Sequence, residues 1–264
     1  AAAAAAAAPN ANTSSSANTS SSAKISSTGL RAYVLQQQRQ QQQWLASKWT
    51  QTAKGFGASG AVADAWWGRL AGLHAEPHRC YHTLTHLFHM FTVWEQHRGE
   101  ARVQDEVGVA LAVFFHDAIY QPKANDNEEQ SAELFASFAQ ECQQAGTARA
   151  EAVRQYILAT KTHTPNTGDW DEKLLLDLDL AILAVPPVQY SAYAEQVRQE
   201  YIHIPLQAFC LGRTKVLQAL LEQQLYLSQC FPRWEQLARY NIKAEIKSLQ
   251  RGGGFESPVA VIYD

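Results

Sequence analysis

The chain has 264 residues, 46% of them hydrophobic and 18% charged, enough apolar material for one substantial core or two modest ones. Its 22 basic and 25 acidic residues give a formal charge of -3, which excludes the broad positive face of a duplex nucleic-acid binder and leaves any anionic ligand to be caught locally. The longest apolar stretch, 107–115, is interrupted by Gly108 and falls well short of the ~20 residues of a membrane span, so a soluble protein with no membrane partner is expected.

Residues 1–29, built almost wholly from alanine, serine, asparagine and threonine, hold almost no side chain able to support a core, and the spacing predicts a disordered tail. No acidic residue occurs before Asp64, a pattern shared by plain low-complexity tails and by organellar leaders. The four cysteines, Cys80, Cys142, Cys210 and Cys230, are far apart and form no CxxC pair. They read as small buried residues in a reducing compartment. A cytoplasmic protein is expected, or an organellar one after loss of a leader.

From residue 30 the periodicity is helical. A first helix is predicted over about 30–54, through Trp44, Leu45 and Trp49, and a short second one capped by Asp64 and ended by Pro77. Stripes at 82–97 (Leu84, Leu87, Phe88, Phe91, Trp94) and 103–116 (Val103, Val107, Leu111, Phe114, Phe115) mark two buried helices. The segment 127–144 begins with Glu128 and Glu129 and stops toward Gly146; further helices are predicted near 148–161, 171–184, 189–202, 206–229 and 233–250. Only Val259–Tyr263 reads as extended, too short to build a sheet. The expected architecture is one all-α domain over 30–264, without internal repeat.

Five of the nine histidines, His74, His78, His82, His86 and His89, fall between residues 74 and 89. On a helix, His82, His86 and His89 would share one face, and inward imidazoles need a polar partner, which a metal or an anion supplies. Next, His116 and Asp117 close the apolar run AVFF, where a buried carboxylate requires pairing or a cation. In LLLDLDLAIL, Asp177 and Asp179 lie about 200° apart on a helix, so only one can face a given centre. The set His86, His116, Asp117 and an aspartate near 179, taken as Asp179, offers two imidazoles and two carboxylates. Such a set suits Mn, Fe, Co or Zn, tolerates Mg, and leaves coordination positions open for water.

This order of His, His-Asp and Asp resembles the HD superfamily of metal-dependent phosphohydrolases over residues 75–203. The segments EPHRCYHTLTHL, FFHDAIYQPKANDNEEQSAELF, ILATKTHTP, LDLDLAIL and YAEQVRQEYIHIP look like a branch of predicted HD phosphohydrolases. The resemblance implies an HD-like helical bundle, one or two divalent ions and a small phosphorylated substrate such as a nucleotide. Tyr81, His82 and His86 are also similar to the opening motif of class I cyclic nucleotide phosphodiesterases, which implies a general acid at His82 and a metal ligand at His86. The second histidine and the proline-glycine turn that follow His-Asp in those enzymes are missing, so cyclic nucleotide specificity is not implied. Likeness to two-metal HD proteins implies that His163 binds a second ion with Asp117 bridging; the other reading of the same residue is a helix-end histidine favoured by the dipole.

Arg79 and Lys161 are candidates to hold phosphate, with Tyr81 on the substrate side; Glu128 or Glu129, with Glu129 preferred, is placed to orient the attacking water. Either cation could equally be a solvated charge. Arg198 and an internal carboxylate read as structural. Two other readings stay open: an HD-type di-iron oxygenase, which resembles inositol oxygenase and needs more histidines before the last aspartate than His163 alone, and a catalytically silent helical module. A homo-oligomer is compatible with either.

Overall fold

The structure, a computed structural model, describes residues 27–99 and 102–252. Among them the chain is all-helical, with ten α-helices and no strand. Residues 1–26 of the expected tail and the extended run near 259–263 lie outside the described residues, while Ser27, Thr28 and Gly29 already belong to the first helix. Contacts divide the chain between Gln40 and Gln41, within that helix. The first unit is described only as helix Ser27–Gln40, and the second holds everything that follows.

The helices are α1 (Ser27–Gly55), α2 (Gly60–Leu73), α3 (Leu84–Gln96), α4 (Glu106–Phe115), α5 (Asn127–Glu141), α6 (Ala148–Ala159), α7 (Trp170–Asp179), α8 (Pro187–Glu200), α9 (Leu206–Leu221) and α10 (Trp234–Gln250). A 3₁₀ turn, Leu180–Ala184, continues α7. The axis of the second unit is α4, in which every residue from Gly108 to Phe115 is buried. A helix apolar on all sides must be wrapped on all sides, and α3, α5, α6 and α7 do this. Asp105 starts α4 by accepting from the Gly108 amide at 3.1 Å. A Cβ on Gly108 would meet Asp105 Oδ2 at 2.9 Å, which explains the glycine inside an otherwise bulky run.

Above α4 the core is aromatic: Trp49 touches Phe114, Phe115 and Phe138, and Trp66 touches Phe115 and Phe138. Their indole N–H groups are satisfied, Trp49 donating to the Ala63 carbonyl at 2.7 Å and Trp66 to Glu141 at 2.9 Å. At the other end α10 packs on α8, α9 and the 3₁₀ turn.

Several helix ends depart from the sequence reading for local reasons. α2 is capped by Ser59, whose hydroxyl accepts from the Val62 amide, and not by Asp64. α3 is capped by Thr83, so His82 precedes the helix. At the end of α5 the left-handed position is taken by Gln143 (φ 57°), while Gly146 (φ 77°) shapes the turn into α6. α9 stops at Leu221 and not near 229, because Asp177 draws the Leu227 and Ser228 amides into a loop at 2.6 and 2.9 Å. No single helix among the described residues is long and apolar enough to cross a membrane. Cys142, Cys210 and Cys230 are buried as expected, whereas Cys80 is exposed, and no disulfide joins any of the four.

Candidate metal centre

Three helix ends meet below the core. His86 lies in the first turn of α3, His116 caps the C-terminus of α4 with Asp117 next to it, and Asp179 is the last residue of α7. The carbonyl ends of α4 and α7 carry negative partial charge, so both favour a cation at this point. One donor atom from each of His86, His116, Asp117 and Asp179 lies within 4.8 Å of the other three. His86 Nε2 is 3.3 Å from His116 Nε2, 3.1 Å from Asp179 Oδ1 and 3.7 Å from Asp117 Oδ2. His116 Nε2 is 3.1 Å from Asp117 Oδ2 and 3.5 Å from Asp179 Oδ1. Bonds of about 2.0–2.2 Å to a shared ion place neighbouring ligands roughly 2.9–3.6 Å apart, so the spacing is that of a coordination shell.

The donor chemistry agrees. His116 Nδ1–H donates to the Val113 carbonyl at 3.0 Å, which in the neutral ring leaves a lone pair on Nε2. His86 Nδ1 meets the Tyr81 hydroxyl at 3.0 Å, and its Nε2 also faces inward. Lone pairs and carboxylate oxygens thus converge on one point, an arrangement that repels itself unless a cation or a proton sits among them. The same conflict shows in the protonation preferences. Burial pushes the His116 imidazole down, but the Asp117 and Asp179 carboxylates outweigh it and hold it well above its usual range. Burial works to raise both carboxyls, and the His116 charge beside them brings each below the usual carboxylate range. This group can hold a metal ion; its donors do not specify which.

His82 sits outside that group, its ring 6.1 Å from the His86 ring and stacked on Tyr120 at 4.1 Å. His82 Nδ1 faces Glu200 Oε2 at 2.7 Å. Glu200, at the end of α8, is fully enclosed; its other oxygen accepts the amides of Cys80, Tyr81 and His82 at 2.8, 2.8 and 3.0 Å, and Tyr120 donates to Oε2 at 2.8 Å. Burial raises its carboxyl, but the His82 contact and these amides hold it down at about 2. Burial lowers His82, and the charges of Asp117 and Glu200 with the hydrogen bond to Glu200 more than restore it, so its proton is held more firmly than in water. Glu200 is therefore the partner that fixes the His82 ring. Arg198 itself donates to the Tyr201 and Ile204 carbonyls.

Other sequence candidates stand elsewhere. Arg79 is not a phosphate hand: its enclosed guanidinium donates to Glu76 and to the carbonyls of His82, Asp117 and Ala118, stapling the His82 turn to the His116–Asp117 corner. Tyr81 lies behind His86 as its hydrogen-bond partner. Lys161 and Glu129 are largely exposed and pair with each other, Lys161 also donating to the Asn125 carbonyl. Glu128, next to Glu129, is half-buried, and burial first and the Asp117 charge second raise its carboxyl. His163 meets Asp179 Oδ2 at 2.9 Å, and not Asp117.

Of Asp177 and Asp179 at the C-terminal end of α7, Asp177 is wholly occupied by Leu227 and Ser228, including the Ser228 hydroxyl at 2.6 Å, so Asp179 and not Asp177 faces the site. His89 does not join the group; burial and the nearby His86 push it down to about 4. His74 donates through Nδ1 to the Leu70 carbonyl, its Nε2 buried without a partner. No family model, curated protein or solved structure matches the chain.

Proposed function

We propose that the protein is a metal-dependent phosphohydrolase of HD type that cleaves a phosphate ester of a nucleotide or another small phosphorylated metabolite. The observation that carries this reading is the convergence of His86, His116, Asp117 and Asp179 within 4.8 Å of one another, with a histidine outside the donor set beside it. The order of those residues along 75–203 and their resemblance to HD phosphohydrolases supply the reaction class.

His86, His116, Asp117 and Asp179 would hold a divalent ion, which would supply an acidified water and positive charge for the phosphoryl oxygens. The chain's own groups do the rest. His82, its Nδ1 held by Glu200, is assigned the proton given to the departing alcohol oxygen, with Nε2 as the nitrogen left to donate it. Glu200 keeps that ring in one orientation and stabilises its charged form, because its own carboxyl stays ionised. Stacking on Tyr120 prevents the imidazole from turning away. The water-orienting role falls to Glu128, which is half-buried, because Glu129 is exposed and paired with Lys161. An oxygenase reading gains nothing from the geometry, since only His163 is added between His-Asp and Asp179.

The experiment is a phosphate-release screen over nucleotides and sugar phosphates with Mn, Co, Zn and Mg, run beside Asp117→Ala and His82→Ala. Turnover by the wild type with at least one metal, abolished in Asp117→Ala, is expected. Metal binding without hydrolysis of any phosphoester would instead favour a silent module.

A further inference from the structure

We infer that His163 is a positioning residue for the metal ligand Asp179 and that the centre holds a single ion; this rests on the proposed metal reading of that site. The two oxygens of Asp179 are divided between tasks: Oδ1 faces His86 and His116 at 3.1 and 3.5 Å, while Oδ2 accepts from His163 Nε2 at 2.9 Å. Ligating carboxylates are commonly held in this way by a donor on the oxygen turned from the ion, and losing the donor weakens metal binding without removing a bond to the metal.

A second ion shared by His163 and Asp179 would need further ligands. Among the described residues no third histidine, cysteine, aspartate or glutamate joins those two in a second donor group. The imidazole is also presented by a purpose-built loop. His163 takes a left-handed conformation (φ 51°), unfavourable for a side chain with a Cβ. Behind it Glu172, completely buried, accepts the amides of Asn166, Thr167 and Gly168, each at 2.8 Å, and the Thr167 hydroxyl at 2.7 Å. The loop is thereby anchored from the core side while His163 reaches Asp179 from the other.

The test is calorimetric titration of Mn²⁺ into the metal-free wild type, His163→Gly and His163→Gln, with thermal midpoints of the metal-free proteins measured in parallel. Glycine removes the hydrogen bond and accepts the left-handed backbone without strain, so the thermal midpoint should equal or exceed that of the wild type. The wild type should take one ion per chain, His163→Gly one ion bound about 10- to 100-fold more weakly, and His163→Gln, which restores an N–H donor, an intermediate affinity. Two ions in the wild type with one lost in His163→Gly at unchanged first affinity would overturn the proposal, as would equal affinity in all three proteins. Absence of any ion in the wild type has a different signature and would remove the metal reading itself.

Discussion

Asp177 and Asp179 stand two positions apart on α7 and turn in opposite directions, one into the 222–233 loop and one into the donor cluster. Their substitutions should separate cleanly. Asp177→Ala strands two amides and a hydroxyl in the interior, and a loss of roughly 2–4 kcal/mol in denaturant-measured stability is expected with metal content unchanged. Asp179→Ala should empty the site and also lower the stability of the metal-free protein at neutral pH, because a carboxylate kept ionised by His116 and bonded to His163 has gone. A second pair distinguishes ligand from acid: Asp117→Ala should lose metal and turnover together, while His82→Ala should keep the ion and lose about 10²- to 10⁴-fold in rate. Elemental analysis beside steady-state kinetics reads both; an empty site in His82→Ala would mean that His82 belongs to the ligand set.

At this scale the donors were legible because polar groups at the end of a run such as AVFF have no bland purpose. The tie between His82 and Glu200 was hidden, since 118 positions separate them and no local pattern carries such a contact. Charge alone did not tell which of the two cations faces inward. Arg79 satisfies backbone carbonyls in the interior, and Lys161 is taken by Glu129 at the surface.

Loops between helices decide where the donors point, and these were the least legible elements. Hydrophobic spacing locates a helix but not the cap that starts it: Thr83 begins α3 one residue after His82, which places that histidine in a turn held by Glu200 and not on the face shared by His86 and His89. Likewise α9 ends early because its continuation is claimed by a buried carboxylate, a contact that no periodicity records. The 162–168 loop depends on Glu172 in the same manner. Glu172→Ala should release three amides and a hydroxyl at once, and hydrogen exchange should accelerate at Asn166, Thr167 and Gly168 before it does in α4. Unchanged protection at those amides would show that the loop is held by something other than Glu172.

For the whole molecule, the all-helical class followed directly from period and composition, because no run of alternating β-branched residues competes with the helical stripes. Its acid sensitivity follows from the buried ionisable groups. His89 and His74 are pushed down by burial, helped by His86 in the first case and chiefly by Arg79 in the second, to about 4 and about 3. The unfolded chain therefore binds protons that the folded one refuses. Stability from this source is complete above pH ~6.5 and falls as the pH drops toward those values. Glu200 has the opposite charge type but the same direction: its folded value of about 2 lies under the usual 4.5, so its contribution is present above 4.5 and is lost as the pH falls toward 2. Denaturant unfolding between pH 7 and 4.5 should show falling stability, with a shallower fall in His74→Leu combined with His89→Leu. An identical slope in the double variant would place the acid sensitivity elsewhere.

The convergence itself can be seen directly by diffraction at the manganese absorption edge from wild-type crystals grown with Mn²⁺. A single anomalous peak is predicted about 2.0–2.3 Å from His86 Nε2, His116 Nε2 and one oxygen each of Asp117 and Asp179. No peak at that point, or an ion bound only by surface carboxylates, would contradict the metal centre on which the functional reading stands.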